Sequence, residues 1–203
     1  AVPTDLAALL LYEAVRKEGK SFVHRGKGKD KEFRRAVGTR IAYHLNSTPG
    51  PWQGRIRLPN ESADRKRKPL QVNAVASSLD RFLSDPYVVS MYEPERETER
   101  EWPTVRGIVH TYWRALQGLM PDAFNDISSY TVQRTAGCYA FHYILADVVH
   151  RCREHGDFSV DTFRKVLSHL GKWVKAETWH TEQGDVLTRS TGMRAIRELA
   201  DTM

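Results

Sequence analysis

The sequence predicts a mainly α protein: a compact bundle of about seven helices with at most one short strand or hairpin, in a single domain over residues 1–203. Three observations carry that expectation. Apolar residues recur at three- and four-residue spacing in segment after segment, which is the period of one helix face. Only Gly54 to Leu58, "GRIRL", alternates as a strand does. And 203 residues with 40% hydrophobic and 28% charged side chains can bury one sizeable core.

Taken in order, Pro3-Thr4-Asp5 opens the first helix, with Thr4 as N-cap and Leu6, Leu9, Leu10 and Ala14 as its apolar stripe to about Lys17. Residues 18–31 read as a mobile glycine-lysine loop. Phe33, Val37, Ile41 and Leu45 stripe a second helix, and "NSTPGPWQG" ends it. After the short strand, residues 59–70 form a polar, basic loop. Val72, Val75, Ala76, Leu79, Phe82 and Leu83 predict one helix from Gln71 to Leu83. An acidic connector over residues 92–102 follows, with Glu95, Glu97, Glu99 and Glu101 as a solvated face.

Val105, Ile108, Val109, Tyr112, Trp113, Leu116 and Leu119 then make a strong amphipathic helix, and "MPDAFNDI" is a loop. Ser128 to Gly156 reads as one long, apolar helix interrupted by Thr135 and Gly137. Ser159 caps the next, which carries Val160, Phe163, Val166, Leu167 and Leu170, and a last helix runs from about Ser190 to Ala200. The chain opens without an initiator Met and enters a helix almost at once, which implies a piece of a longer chain.

Nothing in the sequence resembles a membrane span or a signal peptide. Cys138 and Cys152 lie 14 apart in one predicted helix, roughly 21 Å, so they cannot bridge; reduced thiols imply a cytoplasmic protein. Charge is uneven. Residues 1–72 hold 16 Lys+Arg against 7 Asp+Glu, and the remainder 15 against 18, giving +9 and −3 within the net +6. The basic half points to a polyanionic partner. Arg25, Lys27, Lys29, Lys31, Arg34, Arg35 and Arg40 are its densest cluster and the candidate contacts to nucleic-acid phosphates. Arg65, Lys66, Arg67 and Lys68 form a second. Neither is interleaved with aromatics, so stacking on single strands is not implied.

The skeleton Arg134-Thr135-Ala136-Gly137-Cys138-Tyr139-Ala140 returns in outline as Arg189-Ser190-Thr191-Gly192-Met193-Arg194-Ala195. One reading makes Arg134, Thr135 and Gly137, with Arg189, Ser190 and Gly192, a pair of anion sites at helix N-termini. The simpler one makes each glycine a notch where another helix backbone passes.

Catalytic and metal chemistry find little support. Cys138 and His142 are one turn apart, but no CxxC or HExxH spacing completes a metal site, and no cofactor is implied. Neither GxSxG nor a phosphate-binding glycine loop occurs. Arg164 and His169 match the spacing of helical-bundle ribonucleases, yet stand ~140° apart on a helix.

Four stretches, "PTDLAALLLYEAV", "IAYHLNSTPGPWQGRIRLPNE", "VRGIVHTYWRALQGLMPDAFND" and "SYTVQRTAGCYAFHYILADVV", together resemble in pattern and order the C-terminal portion of DGQHR-domain proteins, a family that includes DndB of DNA phosphorothioation systems. The Asp-Gly-Gln-His-Arg string itself does not occur; the only His-Arg pairs are His24-Arg25 and His150-Arg151. The resemblance implies the helical part downstream of a ParB-like core, in a bacterial protein of DNA modification and phage defence that acts as an accessory or regulatory DNA-binding factor. DNA, through its phosphate backbone, is then the expected partner. A protein-interaction or dimerisation scaffold is the alternative and a ribonuclease the third reading, with no membrane partner in any of them.

Overall fold

The computed structural model describes residues 10, 27–59, 61, 67–92, 101–185, 188, 198 and 201, leaving aside the side chains of residues 27–30, 92 and 101–104. Among them the architecture is helical, as the periodicity predicts: α1 (Lys27–Ser47), α2 (Val72–Ser78), α3 (Asp80–Ser84), α4 (Pro86–Tyr92), α5 (Glu101–Leu119), α6 (Pro121–Asn125), α7 (Thr135–Tyr143), α8 (Leu145–Glu154) and α9 (Val160–Ser168). Two 3-10 turns, Gly171–Val174 and Ala176–Trp179, follow. The strands β1 (Ile56–Arg57) and β2 (Leu70–Gln71) pair in parallel, Ile56 opposite Leu70. "GRIRL" therefore supplies two strand residues, and its partner is a second short strand reached by a crossover. No helix among the described residues is long and apolar enough to cross a membrane.

The predicted terminal helices fall mostly outside the described residues. Leu10 is helical but 58% exposed, although it belongs to the predicted apolar stripe. Glu198 and Asp201 are helical and exposed.

Four boundaries differ from the sequence expectation, three of them with a visible cause. The basic loop predicted over residues 18–31 gives way to helix at Lys27. Lys, Glu and Arg are good helix formers, and Phe33 is already seated in the core. The single helix predicted from Gln71 to Leu83 breaks at Leu79, just after the Ser78 hydroxyl donates back to the Val75 carbonyl (2.7 Å), a bond that bends helices. "MPDAFNDI" contains a helical turn, α6, started by Pro121 at its first position. The acidic connector is shorter than expected, because α4 reaches Tyr92 and α5 starts at Glu101.

The long helix predicted from Ser128 to Gly156 is the largest correction. Its first seven residues are tied down elsewhere: Thr131 N–H donates to the Trp179 carbonyl (2.8 Å) and Thr181 N–H to that of Ser129 (2.8 Å). Helix begins only at Thr135 and breaks again at Ile144, where the Arg81 guanidinium donates to the Tyr143 carbonyl (2.8 Å).

The core centres on α5. Trp113, fully buried, receives Trp52 edge-on at 4.9 Å and contacts Phe124, Phe141 and His142. Truncating such a residue costs about 3–5 kcal/mol. α1 crosses α2 closely at Gly38, where a Cβ would stand 2.9 Å from the Ala76 carbonyl oxygen. That is a true backbone-to-backbone notch. Ser159 caps α9 as its sequence implies, accepting from the Thr162 amide at 3.2 Å.

Candidate nucleic-acid interface

The first basic cluster divides sharply once its side chains are placed. Arg25 lies outside the described residues, and Lys27 and Lys29 are fixed only as backbone in the first turns of α1. Lys31 and Arg35 are exposed and, among the described residues, have no acidic partner. Arg34 is half-buried, and its Nε donates to Asp80 Oδ1 at 3.0 Å. Arg40 is also half-buried and already engaged within the protein. At 100° per residue, Lys31, Arg34 and Arg35 span about 100° of the helix, so they share one side of it. Arg40 does not join them.

The second cluster contributes less. Arg65 and Lys66 lie outside the described residues, and Arg67 is engaged. Lys68 is held by Glu61 (2.6 Å), whose other oxygen accepts the Leu58 amide (2.8 Å). The Lys68 hydrogen bond and the Leu58 amide hold the Glu61 carboxyl below its ordinary range.

Neither reading of the Arg134 skeleton matches its surroundings well. Thr135 and Gly137 sit in the first turn of α7 rather than in the middle of a long helix. A Cβ at Gly137 would collide with the backbone of Val132, so the close neighbour is the chain's own lead-in loop and not a second helix. Arg134 Nη2 donates to the carbonyls of Ser128 (2.6 Å) and Ile127 (3.3 Å), which makes it a staple for that loop. The same loop is held from the other side. Gln133 donates to the Pro51 carbonyl (2.7 Å) and accepts from Arg55, whose Nη1 also donates to the Phe124 carbonyl (2.6 Å). Arg189, Ser190 and Gly192 lie outside the described residues.

The Cys138–His142 pair belongs to a buried polar chain instead of a metal clip. Trp113 Nε1, a donor only, gives its hydrogen to His142 Nε2 (2.8 Å). The imidazole proton therefore sits on Nδ1 and is donated to Ser78 Oγ (2.6 Å), which in turn donates to Val75. Burial pushes the His142 pKa down to about 3, so this ring is neutral near pH 7. Burial likewise pushes the Cys138 thiol up to about 12. No group of three or more His, Cys, Asp or Glu among the described residues is arranged to hold a metal ion.

Arg164 and His169 part company as their ~140° separation requires. The Arg164 guanidinium lies over Gly118 of α5 and pairs with Asp161 (3.5 Å). His169 instead lines an open groove of about 630 Å³ between α8 and the end of α9. Ile144, Val148, Val166 and Leu170 give that groove apolar walls, and His155 and His169 both line it. Rim charges are already paired: Asp147 with Arg81 (3.2 Å) and Arg151 with Glu154 (3.4 Å).

Two features of the candidate sites were out of reach of sequence reasoning. Asp80 stands 46 residues from Arg34, and no spacing rule connects them. The groove joins residues of two helices whose individual stripes read as ordinary core edge. Comparison with protein-family models, curated proteins and solved structures finds no match.

Proposed function

We propose that this chain is a non-catalytic helical unit that contacts the phosphate backbone of duplex DNA through the first half of α1, as the accessory or regulatory part of a DNA-modification or phage-defence protein. One observation carries the contact: Lys31 and Arg35 stand exposed beside Arg34 on one side of α1, with no acid among the described residues to neutralise them. Lysine and arginine contacts of this kind neutralise phosphates and release counterions without reading base sequence. The choice of DNA, and of a modification or defence setting, comes from the resemblance to DGQHR-domain proteins.

Fluorescence anisotropy of a labelled duplex measures it. Three phosphate contacts at ~0.9 each give a log–log salt slope near −2.7, or roughly a 40-fold loss of affinity from 50 to 200 mM salt. Lys31→Ser with Arg35→Ser should flatten that slope by about 1.8. Failure to bind duplex DNA even at low salt would sink the proposal.

The groove beside α8 favours the second reading, a protein-interaction scaffold, because its walls are aliphatic while its rim charges are already paired. Binding of that kind would respond weakly to salt and would be lost in Val148→Asp rather than in the α1 variants.

A further inference from the structure

We infer that Asp80 is a positioning residue, fixing the Arg34 side chain so that its two terminal amino groups present a ready-made fork to a backbone phosphate. This inference rests on the DNA-contact reading and deepens it. Asp80 occupies the first position of α3, and its Oδ1 receives Arg34 Nε at 3.0 Å. Only Nε is used. Neither Nη1 nor Nη2 has a protein partner among the described residues, and neither belongs to the buried side-chain atoms that lack one. Both are therefore open to solvent, on a side chain that is itself only 22% exposed.

Such an arrangement differs from a free surface arginine. A guanidinium binds phosphate best through two parallel N–H groups, and holding it in place beforehand reduces the ordering cost at the moment of binding. Lys31, one turn earlier, and Arg35, next in sequence, flank the fork with exposed positive charge. The carboxylate has a second effect of opposite sign, because it repels the same phosphate. With Asp80 48% exposed, that repulsion is screened by water and salt, whereas the geometric constraint on Arg34 is not.

The two effects make opposite predictions for Asp80→Ala, which raises the net charge by one. If Asp80 positions Arg34, duplex affinity at about 100 mM salt should fall some three- to tenfold, and the salt slope should flatten by up to ~0.9 as one contact is lost. Asp80→Asn keeps an oxygen acceptor for Nε and should bind within about twofold of the native chain. Arg34→Lys keeps the charge but loses the fork, and should weaken binding about as much as Asp80→Ala. Combining the two should add little, since both remove one contact. Circular dichroism melts of each variant report whether α3 stays folded. Affinity that is unchanged or increased in Asp80→Ala would overturn the inference while leaving the DNA reading intact. So would equal losses in Asp80→Ala and Asp80→Asn at an unchanged slope, the pattern of a merely structural residue. A native chain that binds no duplex overturns both.

Discussion

Single residues in this protein take their meaning from what stands opposite them, and the glycines make the point measurable. Gly38 faces the Ala76 carbonyl across a helix crossing, Gly137 faces the Val132 backbone, and Gly107 in α5 has nothing within 4 Å of its missing Cβ. Alanine at Gly38 should therefore destabilise by about 1–3 kcal/mol, despite the ~1 kcal/mol it gains in helix propensity. Alanine at Gly137 should cost at least as much, because the obstruction is backbone that cannot rotate away. The same change at Gly107 should stabilise by up to about 1 kcal/mol, and urea unfolding of the three variants checks the order. The sequence shows a glycine at each site but not its neighbour, which is why Gly137 reads there as a helix crossing while Gly38, the real one, passes unnoticed. His142 adds a pH dependence. Its pKa is about 3 in the fold and near 6.5 when exposed, so the unfolded chain takes up a proton that the folded chain refuses. Its contribution to stability is complete above pH 6.5 and declines as pH falls toward 3, by up to ~1.4 kcal/mol per unit. Urea midpoints at pH 7, 6 and 5 should show that decline, and His142→Gln should reduce it.

At the scale of elements, helix identity was legible and helix ends were not. The apolar stripes of α1, α5 and α9 emerge from three- and four-residue spacing because each lays one face on the core. What cut the Ser128–Gly156 segment was tertiary: the Trp179 carbonyl takes the Thr131 amide, the Thr181 amide takes the Ser129 carbonyl and the Arg81 guanidinium takes the Tyr143 carbonyl, all backbone groups that a continuous helix would have used. Those partners stand 48 to 62 residues away along the chain, and local propensity does not register them. The lead-in loop before α7 is consequently a structural clasp. Gln133→Ala removes the acceptor for Arg55 and the donor to Pro51, and should cost about 2–4 kcal/mol in urea unfolding. Its neighbour Arg134 answers the anion-site expectation in the same terms, since Nη2 serves two carbonyls of that clasp.

Across the whole molecule, the fold class follows from the distribution of apolar residues, whereas the candidate interface needed coordinates. Counting charges marks the first 72 residues as basic, yet counting cannot separate Arg34, tethered to Asp80, and Arg40, engaged within the fold, from the open Lys31 and Arg35. In the proposed DNA contact the net charge of +6 sets only the long-range attraction, while burial and nearby carboxylates decide which cations can reach a phosphate. The two free cysteines have a different use. Cys138 and Cys152 are fully buried on separate helices of one hydrophobic core, and burial favours the unreactive thiol over the thiolate in both. A thiol-specific reagent can therefore modify them only when the core opens. The chain thus carries its own clock for native-state breathing, read from the labelling rate of two cysteines without introducing any probe.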